Sequence, residues 1–153
     1  MSEITNLPDH VAIILDGNRR WARGQELQDE DGHRKGIETL VLIATAAANF
    51  NIKYLTLFSF SKENWKRDPS EISNLMDLME SFESEYLDEI ILNNIRITVI
   101  GDVDTLARPQ KKIIKMVQER TYGNTGMQLI AAFNYSGRDE IIRAVKKLSL
   151  IHI

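Results

Sequence analysis

Short apolar runs alternate with amphipathic stretches along the 153-residue chain. Runs rich in β-branched and aliphatic residues are typical of buried strands, whereas apolar positions three or four residues apart are typical of helices. The pattern predicts strands at 10–15, 53–60, 95–100 and 127–133. It predicts helices at 18–23, 34–50, 70–93, 106–120 and 138–149. This alternating order predicts an α/β fold, a mostly parallel sheet with flanking helices and right-handed crossovers.

The helix that starts near Ser70 has the clearest pattern. Its apolar stripe contains Ile72, Leu75, Met76, Met79, Phe82, Tyr86 and Ile90. Pro69 and Ser70 are expected to start it, with Ser70 as the N-cap. No repeat, linker or low-complexity stretch interrupts the chain, so residues 1–153 are predicted to form a single domain.

Polar segments follow each predicted strand, at 16–20, 59–67, 101–102 and 134–138. In an open parallel sheet these ends share one edge, where ligands bind. In the first segment, Asp16 could bind a metal, Gly17 permits close approach of the backbone, and two arginines follow. This set suits a diphosphate chelated by a divalent cation. An aspartate at a strand end, taken alone, is as often a turn or cap residue as a ligand.

Composition narrows the function classes. The chain is 43% hydrophobic and 27% charged, which is ordinary for a soluble globular protein. Its net charge of −3 gives no reason to expect a nucleic-acid partner. The absence of cysteine excludes disulfides and thiolate metal sites and is compatible with the cytoplasmic location that we expect. The first residues lack the pattern of a signal peptide, and the apolar run 41–48 is too short to span a bilayer.

Four segments carry a resemblance to a known family. His10–Ala22 resembles the first signature of the cis-prenyltransferases, the undecaprenyl diphosphate synthase or isoprenyl transferase family, with Leu15 in place of the family's methionine. Gly32–Gly36 resembles the family's Gly-His-x-x-Gly segment. Ser61–Arg67 resembles its Ser-x-Glu-Asn-Trp-x-Arg segment, and Asn134–Arg138 its Asn-Tyr-Gly-Gly-Arg segment. The four occur in the family's order at about its spacing, which is far more specific than one motif.

The resemblance implies condensation of isopentenyl diphosphate with an allylic prenyl diphosphate to give a Z-polyprenyl diphosphate. It implies Mg²⁺ as cofactor, a homodimer when full length, and association with the membrane surface through the lipid product. Asp16 matches the metal ligand, a catalytic residue, and Asn64 the position assigned to proton removal, where an amide would act partly by orientation. The matching substrate-binding positions are Gly17, Asn18, Arg19, Arg20, Trp21, His33, Ser61, Lys62, Glu63, Trp65 and Arg67. An apolar tunnel for the isoprenoid tail would draw on Phe58, Phe60, Met79, Phe82 and Ile130.

Two departures from the family qualify this interpretation. Asp29 stands where the family commonly has an arginine, and its carboxylate would repel diphosphate unless it is turned away or bridged by metal. The family's later segment, with the isopentenyl-side arginines and a second acidic metal ligand, is not matched. The chain therefore resembles the N-terminal part only, an incomplete catalytic domain truncated at the C-terminus. We expect it to bind a prenyl diphosphate weakly and not to elongate it, and we expect no role for His152.

Other interpretations stay open at this point. One is a non-catalytic partner subunit, or an inactive fragment, of the same fold. Asp16, Asn64 and Trp65 argue against the partner subunit, because such partners typically lose these residues. Another is a phosphatase with an aspartyl nucleophile, which usually needs a second aspartate two residues further on, where this chain has Asn18.

Overall fold

The computed structural model describes residues 6–151. The expectation for the first residues of the chain lies partly outside this range, and the expectation for His152 lies wholly outside it. Its strands are β1 (His10–Ile14), β2 (Tyr54–Ser61), β3 (Arg96–Ile100) and β4 (Gln128–Tyr135). Its α-helices are α1 (Asn18–Gly24), α2 (Asp29–Asn49), α3 (Pro69–Leu92), α4 (Arg108–Thr121) and α5 (Gly137–Ile151). Two 3₁₀ helices, Lys62–Lys66 and Val103–Thr105, follow β2 and β3.

The four strands form one sheet in the order β1-β2-β4-β3, and every neighbouring pair is parallel. This confirms the predicted α/β class. Phe58 of β2 pairs with Ile14 of β1 and with Ala132 of β4, which in turn pairs with Ile100 of β3. The ends of all four strands therefore lie side by side, and we call this boundary the carboxyl edge. The four polar segments meet there, as the sequence predicts.

The core lies between the sheet and helices α2, α3 and α4, which all contribute to one buried cluster. Leu55 and Leu57 of β2 pack there with Leu87 and Ile90 of α3, all at most 2% exposed. Complete burial of such a side chain contributes roughly 1.5–3 kcal/mol. The strands therefore form a rigid base for the segments at the carboxyl edge.

Two predicted helix starts are wrong. Helix α2 begins at Asp29 rather than at 34, because its acidic first turn complements the helix dipole and Gln28 and Asp31 form a capping box. Helix α3 is capped by Asp68, whose carboxylate accepts a hydrogen bond from the Ser70 amide at 2.9 Å. Pro69 takes the first helical position, where its missing N–H costs nothing, so Ser70 is not the N-cap.

The Gly32–Gly36 segment is helical, although glycine disfavours the interior of a helix. Both glycines are needed because α1 and α2 pack closely. A Cβ at Gly32 would overlap the backbone oxygen of Asn18, and a Cβ at Gly36 would overlap the Asn18 side chain. This contact places His33 on the face of α2 that reaches the carboxyl edge. Within residues 6–151, no helix has both the length and the hydropathy of a membrane span.

Candidate functional site

A cavity of about 370 Å³ extends inward from the carboxyl edge, between the sheet and helices α2, α3 and α4. Polar side chains line the end at this edge: Asp16, Asn18, His33, Ser59, Ser61, Asn64 and Arg67. The remainder is apolar and includes Leu40, Leu75, Met79, Phe82, Ile97, Val117 and Leu129. Ile97 and Leu129 are the second residues of their strands, so the cavity spans most of the sheet's length. It suits an amphipathic ligand with an anionic head and an apolar tail.

Asp16 follows β1 and stands at the mouth of the cavity, with 76% of its side chain exposed. One oxygen accepts a hydrogen bond from the Gly17 amide at 2.6 Å, and the other from Arg20 at 3.1 Å. Gly17 has φ +94°, a conformation that glycine adopts without strain. Residues 6–151 contain no group of three carboxylates or histidines able to hold a metal. One exposed carboxylate nevertheless fits Mg²⁺, which commonly keeps several waters and takes one or two carboxylates plus substrate phosphates.

Two carboxylates organise the cationic side chains of the mouth. Glu71 of α3 accepts hydrogen bonds from Arg19 at 2.6 Å and from Arg67 at 2.7 Å. Burial acts to raise the pKa of Glu71, but the two arginines outweigh it and hold this pKa below its usual value. Asp29 accepts two hydrogen bonds from Arg23, at 2.9 and 2.7 Å, and lies 3.4 Å from Nε of Arg19. Asp29 is thus turned toward arginines of α1, the arrangement that avoids direct repulsion of an anion.

His33 is nearly buried, with 11% of its side chain exposed, and lines the cavity. Its Nε2 has no hydrogen-bond partner within residues 6–151 and lies 3.9 Å from a Glu71 oxygen. Burial lowers the pKa of His33; Glu71 opposes this, and Arg67 and Arg19 reinforce it. The imidazole is therefore neutral near pH 7, and a ligand oxygen at the mouth would satisfy Nε2 if that nitrogen carries the proton.

Side chains of the 3₁₀ helix after β2 and of its two flanking residues fall into three rows, because residues three apart eclipse one another in this geometry, and two of the rows bear on the site. Ser61, Asn64 and Arg67 form the cavity row, since all three line the cavity. Lys62 and Trp65 form the anchor row, which contacts β4, the β3 end and α5 instead. The Asn64 side-chain oxygen accepts a hydrogen bond from the Ser61 amide at 2.9 Å, closing a capping box.

The structure brings some of the predicted site residues to the cavity and places others around it. Six line the cavity: Asp16, Asn18, His33, Ser61, Asn64 and Arg67. The other predicted residues lie on the same segments but outside its lining: Gly17, Arg19, Arg20, Trp21, Lys62, Glu63 and Trp65. Their substrate-binding roles stay predictions. Of the predicted tunnel residues, Ile130 is wrong, because adjacent strand residues point to opposite faces and Leu129 and Ala131 line the cavity.

Sequence reasoning missed Glu71 and Asn134 as site residues. Glu71 lies in the first turn of α3, where a carboxylate complements the helix dipole, and its i,i+4 spacing from Arg67 is the sequence signal for an ion pair. In the sequence, Asn134 is distinguished only as the first residue of the Asn134–Arg138 segment. Its hydrogen-bond partners lie 29 to 69 residues away along the chain, so no local pattern could reveal them.

A family model described as "Putative undecaprenyl diphosphate synthase" matches residues 14–152. The chain belongs to this family. An isoprenyl transferase of Brucella suis biovar 1 (strain 1330) is 44% identical over 142 residues, which is 93% of this chain and 56% of that protein. An isoprenyl transferase of Staphylococcus haemolyticus (strain JCSC1435) is 40% identical over 146 residues, 95% of this chain and 57% of that protein.

A solved structure of the same family supports the fold. Lavandulyl diphosphate synthase from Lavandula x intermedia, crystallised in complex with dimethylallyl diphosphate, superimposes with a TM-score of 0.88 at 32% identity. The match covers 94% of this chain and 61% of that chain. This chain therefore spans less than two thirds of the length of the isoprenyl transferases and of the synthase named here.

Proposed function

We propose that this chain forms the allylic-substrate part of an isoprenyl transferase, which condenses isopentenyl diphosphate with an allylic prenyl diphosphate to give a Z-polyprenyl diphosphate. The observation that carries the proposal is one cavity that combines a polar mouth, which includes Arg67, with an apolar interior. The Lavandula relative, whose structure contains dimethylallyl diphosphate, adds support from the same fold.

The diphosphate would lie at the mouth of the cavity. Arg19 and Arg67, which Glu71 now holds side by side, can donate paired hydrogen bonds to phosphate oxygens. His33 would donate from its unpartnered Nε2. Asp16 would hold Mg²⁺, which when bound neutralises the charge that develops on the leaving diphosphate. These groups together stabilise departure of the diphosphate, the step that generates the allylic electrophile.

Asn64 has an orienting role in this proposal. Its side-chain oxygen already accepts the Ser61 amide, and an amide is a weak base in any case. The amide nitrogen is the polar group that Asn64 can present toward a ligand. The apolar wall, including Leu75, Met79 and Phe82, would accommodate the isoprenoid tail. Burial of apolar area contributes about 25 cal/mol per Å², so the tail adds affinity that diphosphate alone lacks.

Titration calorimetry tests the proposal with farnesyl diphosphate as the allylic probe. With Mg²⁺ present, we expect the chain to bind farnesyl diphosphate more tightly than either inorganic diphosphate or farnesol, because each of these fills only one part of the cavity. Asp16→Ala is expected to remove the Mg²⁺-dependent part of the affinity, at least tenfold, with unchanged circular dichroism.

Asp9→Ala is the matched control, because it also removes an exposed carboxylate but lies beside the opposite edge of the sheet. It should leave the affinity unchanged. Farnesyl diphosphate binding that needs neither Mg²⁺ nor Asp16 would contradict the metal assignment. Binding no tighter than that of inorganic diphosphate would contradict the assignment of the cavity to the tail. In any longer active form, Asp16→Ala should abolish incorporation of labelled isopentenyl diphosphate.

Three further features belong to the proposal through the family alone. They are a cytoplasmic location, a homodimer in the full-length protein, and contact with the membrane surface through the lipid product. Mg²⁺ as the cofactor rests on the fit of Asp16 described above.

A further inference from the structure

We propose that Asn134 is a positioning residue that holds the Ser61–Arg67 segment in the geometry that ligand binding requires. This inference rests on the proposed function, because the segment's cavity row carries Asn64 and Arg67. The 3₁₀ helix of this segment is short and spans five residues. A 3₁₀ helix of this length has poor internal hydrogen-bond geometry and depends on outside contacts to fix it.

Those contacts are made by the anchor row. Trp65 donates its indole N–H to the side-chain oxygen of Asn134 at 2.8 Å. Its ring packs edge-on against Phe60, with ring centroids 5.2 Å apart, and Phe60 lines the cavity. A displacement of Trp65 would therefore reach the cavity by two routes, through Phe60 and through the adjacent Asn64.

Asn134 uses all of its side-chain polar groups in binding neighbours. It is 3% exposed, and its amide nitrogen donates to the backbone oxygen of Asp102 at 2.8 Å and to the hydroxyl of Thr105 at 3.0 Å. The Asp102 amide donates back to the Asn134 carbonyl at 3.1 Å. Asn134 thus joins the ends of β2, β3 and β4. Its φ of +51° lies in the left-handed region, which asparagine tolerates better than most residues.

Lys62 provides the second attachment of the anchor row. Its ammonium lies 2.6 Å from Asp102 and 2.7 Å from Asp139, and Arg143 lies 3.0 Å from Asp139. The two cations and two carboxylates balance in charge, and none of the four side chains lines the cavity. The cluster therefore holds the Ser61–Arg67 segment through contacts outside the cavity lining. Asp102 belongs to this cluster and also contacts Asn134.

The test compares Asn134→Gly with Asn51→Gly. Both asparagines have φ between +50° and +60°, and glycine accepts this conformation, so neither change strains the backbone. Asn51 lies in the turn between α2 and β2, beside the opposite edge of the sheet. We expect Asn134→Gly to weaken farnesyl diphosphate binding at least tenfold in calorimetry. Asn51→Gly should change it less than twofold, even where urea unfolding shows comparable losses of stability.

The indole N–H signal of Trp65 in ¹⁵N NMR provides the readout of position. The signal is assigned by its disappearance in Trp65→Phe, and its hydrogen exchange should accelerate in Asn134→Gly but not in Asn51→Gly. Trp65→Phe also serves if Asn134→Gly fails to fold, because it removes the same hydrogen bond and keeps the aromatic packing. It should weaken binding, and adding Asn134→Gly to it should weaken binding little further.

Unchanged affinity in Asn134→Gly and Trp65→Phe would overturn the inference, as would equal losses in Asn134→Gly and Asn51→Gly. An unaltered Trp65 indole signal in folded Asn134→Gly would overturn the positioning role alone. Absence of farnesyl diphosphate binding by the parent chain would instead overturn the proposed function, and with it the ligand part of this inference.

Discussion

The two ends of the parallel sheet use asparagine differently. At the amino end, Asn94 has φ +54°, and its side-chain oxygen accepts a hydrogen bond from the Thr125 amide at 2.9 Å. Asn124 donates to the Ile95 carbonyl at 2.7 Å. These bonds close turns. At the carboxyl edge, Asn134 has a similar φ but joins three strand ends beside a cavity. The conformation is shared, so the role of each asparagine depends on what surrounds it.

The ion pairs at the two ends of the sheet also differ, in their exposure and in the number of partners of each carboxylate. Lys53 and Asp9 form an ion pair at the amino end with both side chains mostly exposed, and such pairs contribute little stability. At the carboxyl edge, Glu71 and Asp102 are 16% and 12% exposed, and each contacts more than one cation. Partial burial costs solvation energy and limits the number of side-chain arrangements. The charged side chains at the carboxyl edge are therefore held in a more fixed geometry than those at the amino end, where the polar contacts close turns.

The largest expected effect is on stability, when a glycine at the carboxyl edge and a glycine at the amino end are each replaced by alanine. Gly101 follows β3 with φ +131°, and a Cβ there would overlap the Phe133 carbonyl oxygen. Gly101→Ala should lower the free energy of unfolding by roughly 2–3 kcal/mol, through backbone strain and the overlap. Gly123 follows α4 at the amino end and has open space around it, so Gly123→Ala should be neutral or stabilise by up to about 1 kcal/mol.

Urea unfolding of the two alanine variants measures this difference. Equal stabilities would show that the chain at Gly101 can relax, and that the carboxyl edge is not more tightly constrained than the amino end.

A smaller effect, on the affinity for farnesyl diphosphate, is expected when a carboxylate is neutralised at each end of the sheet. Asp29 pairs with Arg23 and lies beside Arg19, so Asp29→Asn should free Arg23 for an anion and leave Arg19 with Glu71 as its one carboxylate partner among the described residues. The gain in farnesyl diphosphate affinity should be roughly two- to fivefold, the range that belongs to exposed ion pairs. Asp9→Asn makes the same change in charge at the amino end and should leave the affinity unchanged. Calorimetry at low salt measures both, and weaker binding by Asp29→Asn would mean that Asp29 orients Arg19 for the ligand.

Much of this fold follows from local patterns. The strands lie within about two residues of their predicted positions, because apolar runs of this length mark buried strands directly. A parallel sheet then brings Asp16, Ser61 and Asn134 to one edge, whatever the details of packing. The start of α2 could not be predicted, since Gly32 and Gly36 disfavour a helix locally and are required only by the contact with Asn18.

The fine structure of the site also depends on distant partners. The sequence of Ser61–Arg67 suggests a polar loop, but not the 3₁₀ geometry that separates Asn64 from Trp65. The Trp65–Asn134 hydrogen bond joins residues 69 positions apart, and the Arg19–Glu71 bond joins residues 52 apart. Such pairs appear only once the sheet has placed its strand ends together. Residue types at the site were therefore predictable from motifs, whereas their mutual contacts were not.

The smallest expected effect is a pH dependence of stability that originates at the carboxyl edge. Burial lowers the pKa of His33 in the folded chain, whereas in the unfolded chain the pKa of histidine is about 6.5. As the pH falls below about 6.5, the unfolded chain gains a proton at His33 before the folded chain does, so the free energy of unfolding decreases. Above this pH both states are neutral and the contribution is complete. The pH range of this change in stability is separate from that of Glu71, because the pKa of Glu71 is lowered from 4.5 and its effect belongs to more acidic solution.

Urea unfolding at pH 7.5 and 5.5 should show the decrease in the free energy of unfolding, and His33→Gln should remove it. His10→Gln, a change near the amino end of β1, should retain it. A decrease that persists in His33→Gln would place its origin outside the cavity, and the two ends of the sheet would then not differ in this respect.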